Sequence, residues 1–286
     1  MDAARCISTL DQISTTLEKP AAPDFALIDL AGTQGFLKSL YGAMESSPIR
    51  WSSLLEGTRW QSGWQFGPIL VDLRDRADFQ ETVIGQLSVG GIGVLIDSRL
   101  DYDDILAWST SRLLAFATTD DRLFRFYDSR SLKALLAVLE THSPPFLPID
   151  ATLSWHDTTQ WISWRDHDGI HRDTGNSEWI LSEAELALLP DYRMAERACR
   201  LSYVYSDHIN AAGDKRVWVL EQLRQALNCG FLKASQQERF LRVSIQSNGA
   251  LLSDPKFKAL RDRVDMTDDD RLKAMECLVE PYHAAT

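Results

Sequence analysis

Six side chains within one short stretch could bind a metal: His156, Asp157, Asp166, His167, Asp168 and His171. Imidazole and carboxylate are ordinary zinc ligands, and His167 and His171 would share a face if the stretch were helical. Asp168-Gly169 is a turn signal, however, and in a strand residues four apart lie ~13 Å from one another. No thiolate accompanies them, so an exposed polar hairpin accounts for the group better than a metal centre. A second set is Asp29, Asp72 and Asp97, each ending an apolar run that reads as a strand. Gathered at one edge of a parallel sheet, three carboxylates could hold Mg²⁺ and serve a metal-dependent hydrolase. The competing use of Asp at a strand end is to cap the following turn, and no Lys, His or Ser motif accompanies these three.

Other chemistries lack their residues. The glycines of Val89-Gly-Gly-Ile-Gly-Val94 precede an apolar run, whereas a dinucleotide fingerprint places its glycines after a strand and before a helix. They read as a tight helix-to-strand connection, and no cofactor is expected. There is no Gly-x-Ser-x-Gly elbow and no cysteine in a basic or glycine-rich setting. Cys6, Cys199, Cys229 and Cys277 are far apart and read as reduced thiols. The aromatic stretch Trp51, Trp60, Trp64 and Phe66, before Gly67-Pro68, suits either core packing or a partner-binding surface.

The elements that must position these residues follow from periodicity. Cys6, Leu10, Ile13 and Leu17 predict an amphipathic helix that Pro20 and Pro23 end. Phe25–Leu30, Ile69–Leu73 and Ile92–Ile96 then alternate with helical stretches near 33–44, 77–87 and 101–112. Near-continuous apolar runs suit a sheet covered on both faces. Leu123–Tyr127 reads as a further strand, followed by a helix over Leu132, Leu135, Leu136 and Leu139 that Asp128 or Ser129 would cap. Three prolines between Thr141 and Pro148 mark a boundary. Beyond it Leu153–Trp155, Trp161–Trp164 and Glu178–Leu181 predict a small antiparallel meander. Ser182 and Glu185 form a capping box, and helical patterning continues through Val217, Leu220, Leu223 and Leu227, closed by Gly230. Phe240 and Val243 mark another helix, and Leu272, Met275 and Val279 a last one. The expected fold is an α/β N-terminal domain, with a mixed sheet and flanking helices, followed by a mainly α-helical C-terminal lobe. Its parts are residues 1–23 (helix and linker), 24–150 (α/β domain), 151–189 (meander and connection) and 190–286 (helical lobe).

Phe25-Ala-Leu-Ile-Asp-Leu-Ala31, Leu54–Thr58, Gly67-Pro-Ile-Leu-Val-Asp-Leu73 and Leu123-Phe-Arg-Phe-Tyr-Asp-Ser-Arg130 occur in this order. The series resembles the adaptor-chaperones of bacterial type VI secretion effectors (Tec-type, VasW-like), with Ser129 where the family pattern has Pro. The resemblance spans residues 24–155. It implies a non-enzymatic protein that binds one cognate toxin in the cytosol and helps load it onto the VgrG trimer or its PAAR tip. It also implies structural roles for Asp29, Gly67, Pro68, Arg125, Tyr127, Asp128 and Arg130, with Asp128 pairing with Arg125 or Arg130. Client binding would need an apolar groove, expected where the two lobes meet, for an amphipathic or membrane-type helix.

Charge narrows the partners. Forty-one acidic against thirty basic side chains give a net charge of −11, which disfavours a nucleic-acid partner. No apolar run approaches the ~20 residues of a membrane span, and the first residues lack a signal-peptide pattern, so a cytoplasmic location is expected.

Overall fold

The computed structural model describes all residues except 14, 117–121, 140–145, 149, 158, 166–180, 250–252, 262, 264 and 284–286. The chain divides into two compact units: Gln12–Leu189, and Met1–Asp11 with Pro190–Thr286.

The first unit is built on seven strands: β1 (Thr15–Leu17), β2 (Phe25–Asp29), β3 (Trp51–Ser53), β4 (Pro68–Asp72), β5 (Gly93–Asp97), β6 (Thr152–His156) and β7 (Trp161–Arg165). Their order is β1-β7-β6-β5-β2-β4-β3. Every pairing is antiparallel, which corrects the expected mixed sheet. The expectation failed because continuous apolar runs report burial on both faces, and burial does not fix strand direction. Since β6 pairs with β5, the Trp-rich meander extends this sheet. Glu178–Ile180, most of its third predicted strand, lies outside the described residues, as do Asp166, His167, Asp168 and His171.

Helices α2 (Phe36–Met44) and α3 (Ala77–Ser88) cover one face. Ala26, Ile28, Ile69, Val71, Leu95 and Trp161 meet Phe36, Leu40, Phe79, Val83 and Leu87 there. The alternate residues Phe25, Leu27, Leu70, Val94, Ile96, Leu153 and Trp155 point to the opposite face. Helix α4 (Tyr102–Leu113) meets that side: the Tyr102 ring lies 6.3 Å from Phe25 and its hydroxyl donates to the Leu70 carbonyl at 3.2 Å. Every residue of helix α5 (Leu132–Leu139) except Lys133 is buried. Leu123–Tyr127 is not a strand; it is irregular chain running into a turn before α5. Its alternation of aromatic and polar residues reflects Phe126 packing against Trp108 and Phe146 rather than a ladder.

The second unit contains α1 (Ala3–Ile13) through Asp11, α6 (Glu183–Val204) from Pro190, α7 (Lys215–Asn228), α8 (Ala234–Gln246), α9 (Pro255–Arg261) and α10 (Asp268–His283). Leu17, expected on the first helix, belongs to β1. Ala226, Phe231, Phe240, Val243, Phe257, Leu272, Met275 and Val279 close one core, and Arg239 braces it by pairing with Glu276 at 2.9 Å. The buried stripe of α7 is Val219, Leu220, Leu223 and Ala226, leaving Leu227 at 40% exposure. Gly230, at φ 88°, ends that helix as expected. Ser182 and Glu185 form the capping box: the Ser182 amide donates to Glu185 Oε2 at 2.7 Å, and the Glu185 amide to Ser182 Oγ at 3.3 Å.

Candidate functional site: an ion-paired corner and an aromatic face

Asp29 ends β2, an interior strand of the sheet, and is 2% exposed. Its Oδ1 accepts the backbone amides of Ala31 at 2.9 Å and Gly32 at 3.2 Å, the capping use of a strand-end Asp. Its Oδ2 accepts a hydrogen bond from the Arg125 guanidinium, 96 residues away in sequence. Arg125 lies 3.8 Å from Asp128. Arg130 grips Asp128 as a fork, Nε to Oδ1 at 2.8 Å and Nη2 to Oδ2 at 2.6 Å. Two carboxylates and two guanidiniums thus neutralise one another and tie residues 125–130 to the end of β2. Asp128 pairs mainly with Arg130, while Arg125 serves Asp29, a partnership the sequence reading did not contain. The available signal was Arg125 itself, a cation set between aromatic residues, which needs a carboxylate from elsewhere in the chain.

Gly67 and Pro68 are brought to the same place. Pro68 stands opposite Asp29 in the ladder, and the Gly67 carbonyl accepts the Leu30 amide at 3.2 Å. A Cβ on Gly67 would come within 2.5 Å of Leu55, so the close approach requires glycine. Tyr127 is buried, and burial followed by the Asp29 carboxylate pushes its phenol well above the ordinary range, so it stays protonated. Burial works against the charge of Asp128, but the Arg130 fork outweighs it and holds the carboxyl below its ordinary value. The Asp128 side chain accepts the Arg130 amide at 3.2 Å rather than an amide within α5. The cluster is chemically a brace, with every charged group engaged by another.

The antiparallel order separates the strand-end aspartates. Because β4 and β5 both run opposite to β2, Asp72 and Asp97 sit beside Phe25, at the other end of the ladder from Asp29. This removes the gathered triad on which the Mg²⁺ reading rested. Asp72 instead pairs with Arg74 at 2.6 Å. Burial and the neighbouring Asp24 carboxylate raise the Asp97 pKa. Among the described residues no group of three His, Cys, Asp or Glu side chains is placed to hold a metal ion. Gly90 and Gly91 form the expected tight α3–β5 connection and, with Ala31–Gln34, line an open hollow of about 320 Å³. The strand that follows them supplies no helix N-terminus for a phosphate.

The aromatic stretch lies at the β3 end of the sheet. Trp51 and Trp64 are 5.7 Å apart, Tyr41 is 6.2 Å from Trp51, and both tryptophans pack partly against the core below. Phe66, closing a short 3₁₀ turn over Gln61–Phe66, is 75% exposed, and Tyr41 is 48% exposed. Trp60 is half-buried beneath the Arg59 guanidinium, 4.2 Å from its ring. Core packing and exposure therefore both apply: the tryptophans anchor the face and Phe66 projects from it.

Residues 25–143 match the family model described as Domain of unknown function (DUF4123). The matched segment begins at β2 and contains the whole corner: Asp29, Gly67, Pro68, Arg125, Tyr127, Asp128 and Arg130. It also contains the aromatic face. It covers less than half of the chain and leaves out the helical unit. No curated protein and no solved structure matches the chain. Among the described residues no helix is long and apolar enough to cross a membrane.

Proposed function

We propose that this protein is an adaptor-chaperone that binds one cognate type VI secretion effector in the cytoplasm and helps load it onto the VgrG or PAAR spike, with no bond made or broken. The observation that carries this reading is the DUF4123 match over residues 25–143, a domain known in type VI effector adaptors. Two features agree with it. The charged cluster spends its groups on bracing the end of β2, and the exposed aromatics around Phe66 offer the flat, apolar contact typical of protein partners. The separation of Asp29 from Asp72 and Asp97 removes the support for a metal-dependent hydrolase.

Co-expression with each toxin encoded beside it in the producing genome tests the reading. One toxin should co-elute with the protein on size exclusion, and deleting the adaptor gene should abolish that toxin's secretion while leaving the spike assembled. Absence of co-elution with every such toxin, together with undiminished secretion, would overturn the proposal.

A further inference from the structure

Helix α1 buries its apolar side chains in the helical unit outside the cluster formed around Phe231, Phe240 and Met275. Cys6, Ile7 and Leu10 are all but fully buried, yet among the described residues the core formed by α7–α10 contains no α1 side chain. The Met1 amine just ahead of α1 lies 3.8 Å from Asp191 of α6, and α1 itself makes two side-chain contacts to α7. Asp11 pairs with Arg216 at 2.7 Å, and Cys6 Sγ accepts from Arg224 Nη2 at 3.6 Å. The two helices therefore run antiparallel. Arg216, Leu220 and Arg224 are spaced by four residues and form one stripe, with Leu220 fully buried between the arginines.

The match along this stripe is uneven. Asp11 gives Arg216 a carboxylate, which Asp214 supplements at 2.7 Å. Among the described residues Arg224 has a single hydrogen-bond partner, a thiol, which is a weak acceptor. An incoming helix with a carboxylate at that position would gain a charge-assisted bond that α1 lacks. At 11 residues, α1 is also shorter than the ~12–15 at which helices begin to hold by themselves in water, so its order depends on this seat.

We propose that the face of α7 bearing Arg216, Leu220 and Arg224 is a seat for an amphipathic helix of the client, and that α1 is the built-in occupant it replaces. The client helix would carry apolar residues at three- and four-residue spacing and carboxylates opposite both arginines. Its advantage over α1 is the pairing with Arg224, since a ligand shifts an occupied seat only through differential affinity. The proposal rests on the adaptor reading for the identity of the client, but its test needs no client.

The probe is a fluorescent synthetic peptide of residues 1–14 carrying Cys6→Glu, compared by anisotropy with the unaltered peptide, against the full chain. The Cys6→Glu peptide should bind at least tenfold more tightly, and Arg224→Ala should remove that advantage. Arg216→Ala, whose side chain is one-third exposed, is the second variant should the first fail to fold, and it should weaken both peptides. Hydrogen exchange on the complex should show α1 amides losing protection while those of α8 and α10 keep theirs. No binding of the Cys6→Glu peptide, equal binding of the two peptides, or α1 exchanging only together with α8 and α10 would overturn the seat. Any of these results would leave the co-elution test of the adaptor reading untouched.

Discussion

At the scale of single residues, the corner ranks its own substitutions. Arg125→Ala strands the buried Asp29 carboxylate with two backbone donors and no counter-charge. A buried charge stripped of its partner costs several kcal/mol, and because Arg125 is half-exposed the low end of that range applies, about 3 kcal/mol. Asp128→Ala instead leaves two guanidiniums that water can reach, and should cost about 1.5 kcal/mol. Urea midpoints of the two variants check the order, and a more damaging Asp128→Ala would refute the assignment of Asp29 to Arg125. The two perturbed carboxylates also predict opposite pH behaviour. Asp128 is held below its ordinary pKa, so its stabilisation is complete above the ordinary carboxylate range and disappears as pH falls through its lower folded value. Asp97 is held above its ordinary pKa by burial and Asp24, so it favours unfolding at neutral pH and is relieved as pH falls through its folded value. Asp97→Asn should therefore raise the melting temperature at pH 7, by an amount corresponding to less than about 1 kcal/mol for so exposed a site. The gain should shrink toward pH 4; a gain that does not change with pH would contradict the Asp24–Asp97 repulsion.

At the scale of elements, the central strands depend on one missing side chain. A Cβ on Gly93 would stand 2.5 Å from the Leu27 carbonyl oxygen, a backbone atom that cannot step aside as a side-chain tip can. Gly93→Ala should force β5 away from β2 and cost about 1–3 kcal/mol, the range for overpacking a tight interior, with the loss visible as a lower urea midpoint at unchanged slope. An unchanged midpoint would mean that the β2–β5 register can shift to admit a methyl group. Helices α2, α3 and α4 were legible in the sequence from their apolar stripes, and the structure adds the cap of α4, where the Asp101 side chain accepts the Asp104 amide at 2.9 Å. The short edge strands β1 and β3 were not legible. Three residues give no measurable alternation, and only pairing with β7 and β4 makes them strands.

At the scale of the whole molecule, folding strength and binding are assigned to different residues. Phe66 is three-quarters exposed, and Phe66→Ser should leave stability within about 0.5 kcal/mol of the parent. In the adaptor reading the same change should weaken toxin co-elution at least tenfold, since exposed aromatics dominate such contacts. Unimpaired co-elution of Phe66→Ser would move the client contact off the aromatic face. Residues 1–11 group with 190–286 in one compact unit, and residues 12–189, which separate them in sequence, form the other. Linear reading divided the chain at its prolines and set residues 1–23 apart, because proximity between distant segments leaves no trace in local periodicity.

What the amino-acid order determined by itself was local and chemical. It specified where helices run and which strands are buried on both faces, that the assembled motifs for nucleotide, thiol or serine chemistry are missing, and that Arg125, Asp128 and Arg130 stand together in one short motif. Those properties depend on side-chain type at short spacing, which a chain carries before it folds. Strand direction, the union of Asp29 with Arg125, the parting of Asp29 from Asp72 and Asp97, and the seat of α1 on α7 were decided by tertiary structure. Each depends on which segments far apart in sequence become neighbours, and that choice is made by the joint packing of the sheet and its helices rather than by any one stretch of residues.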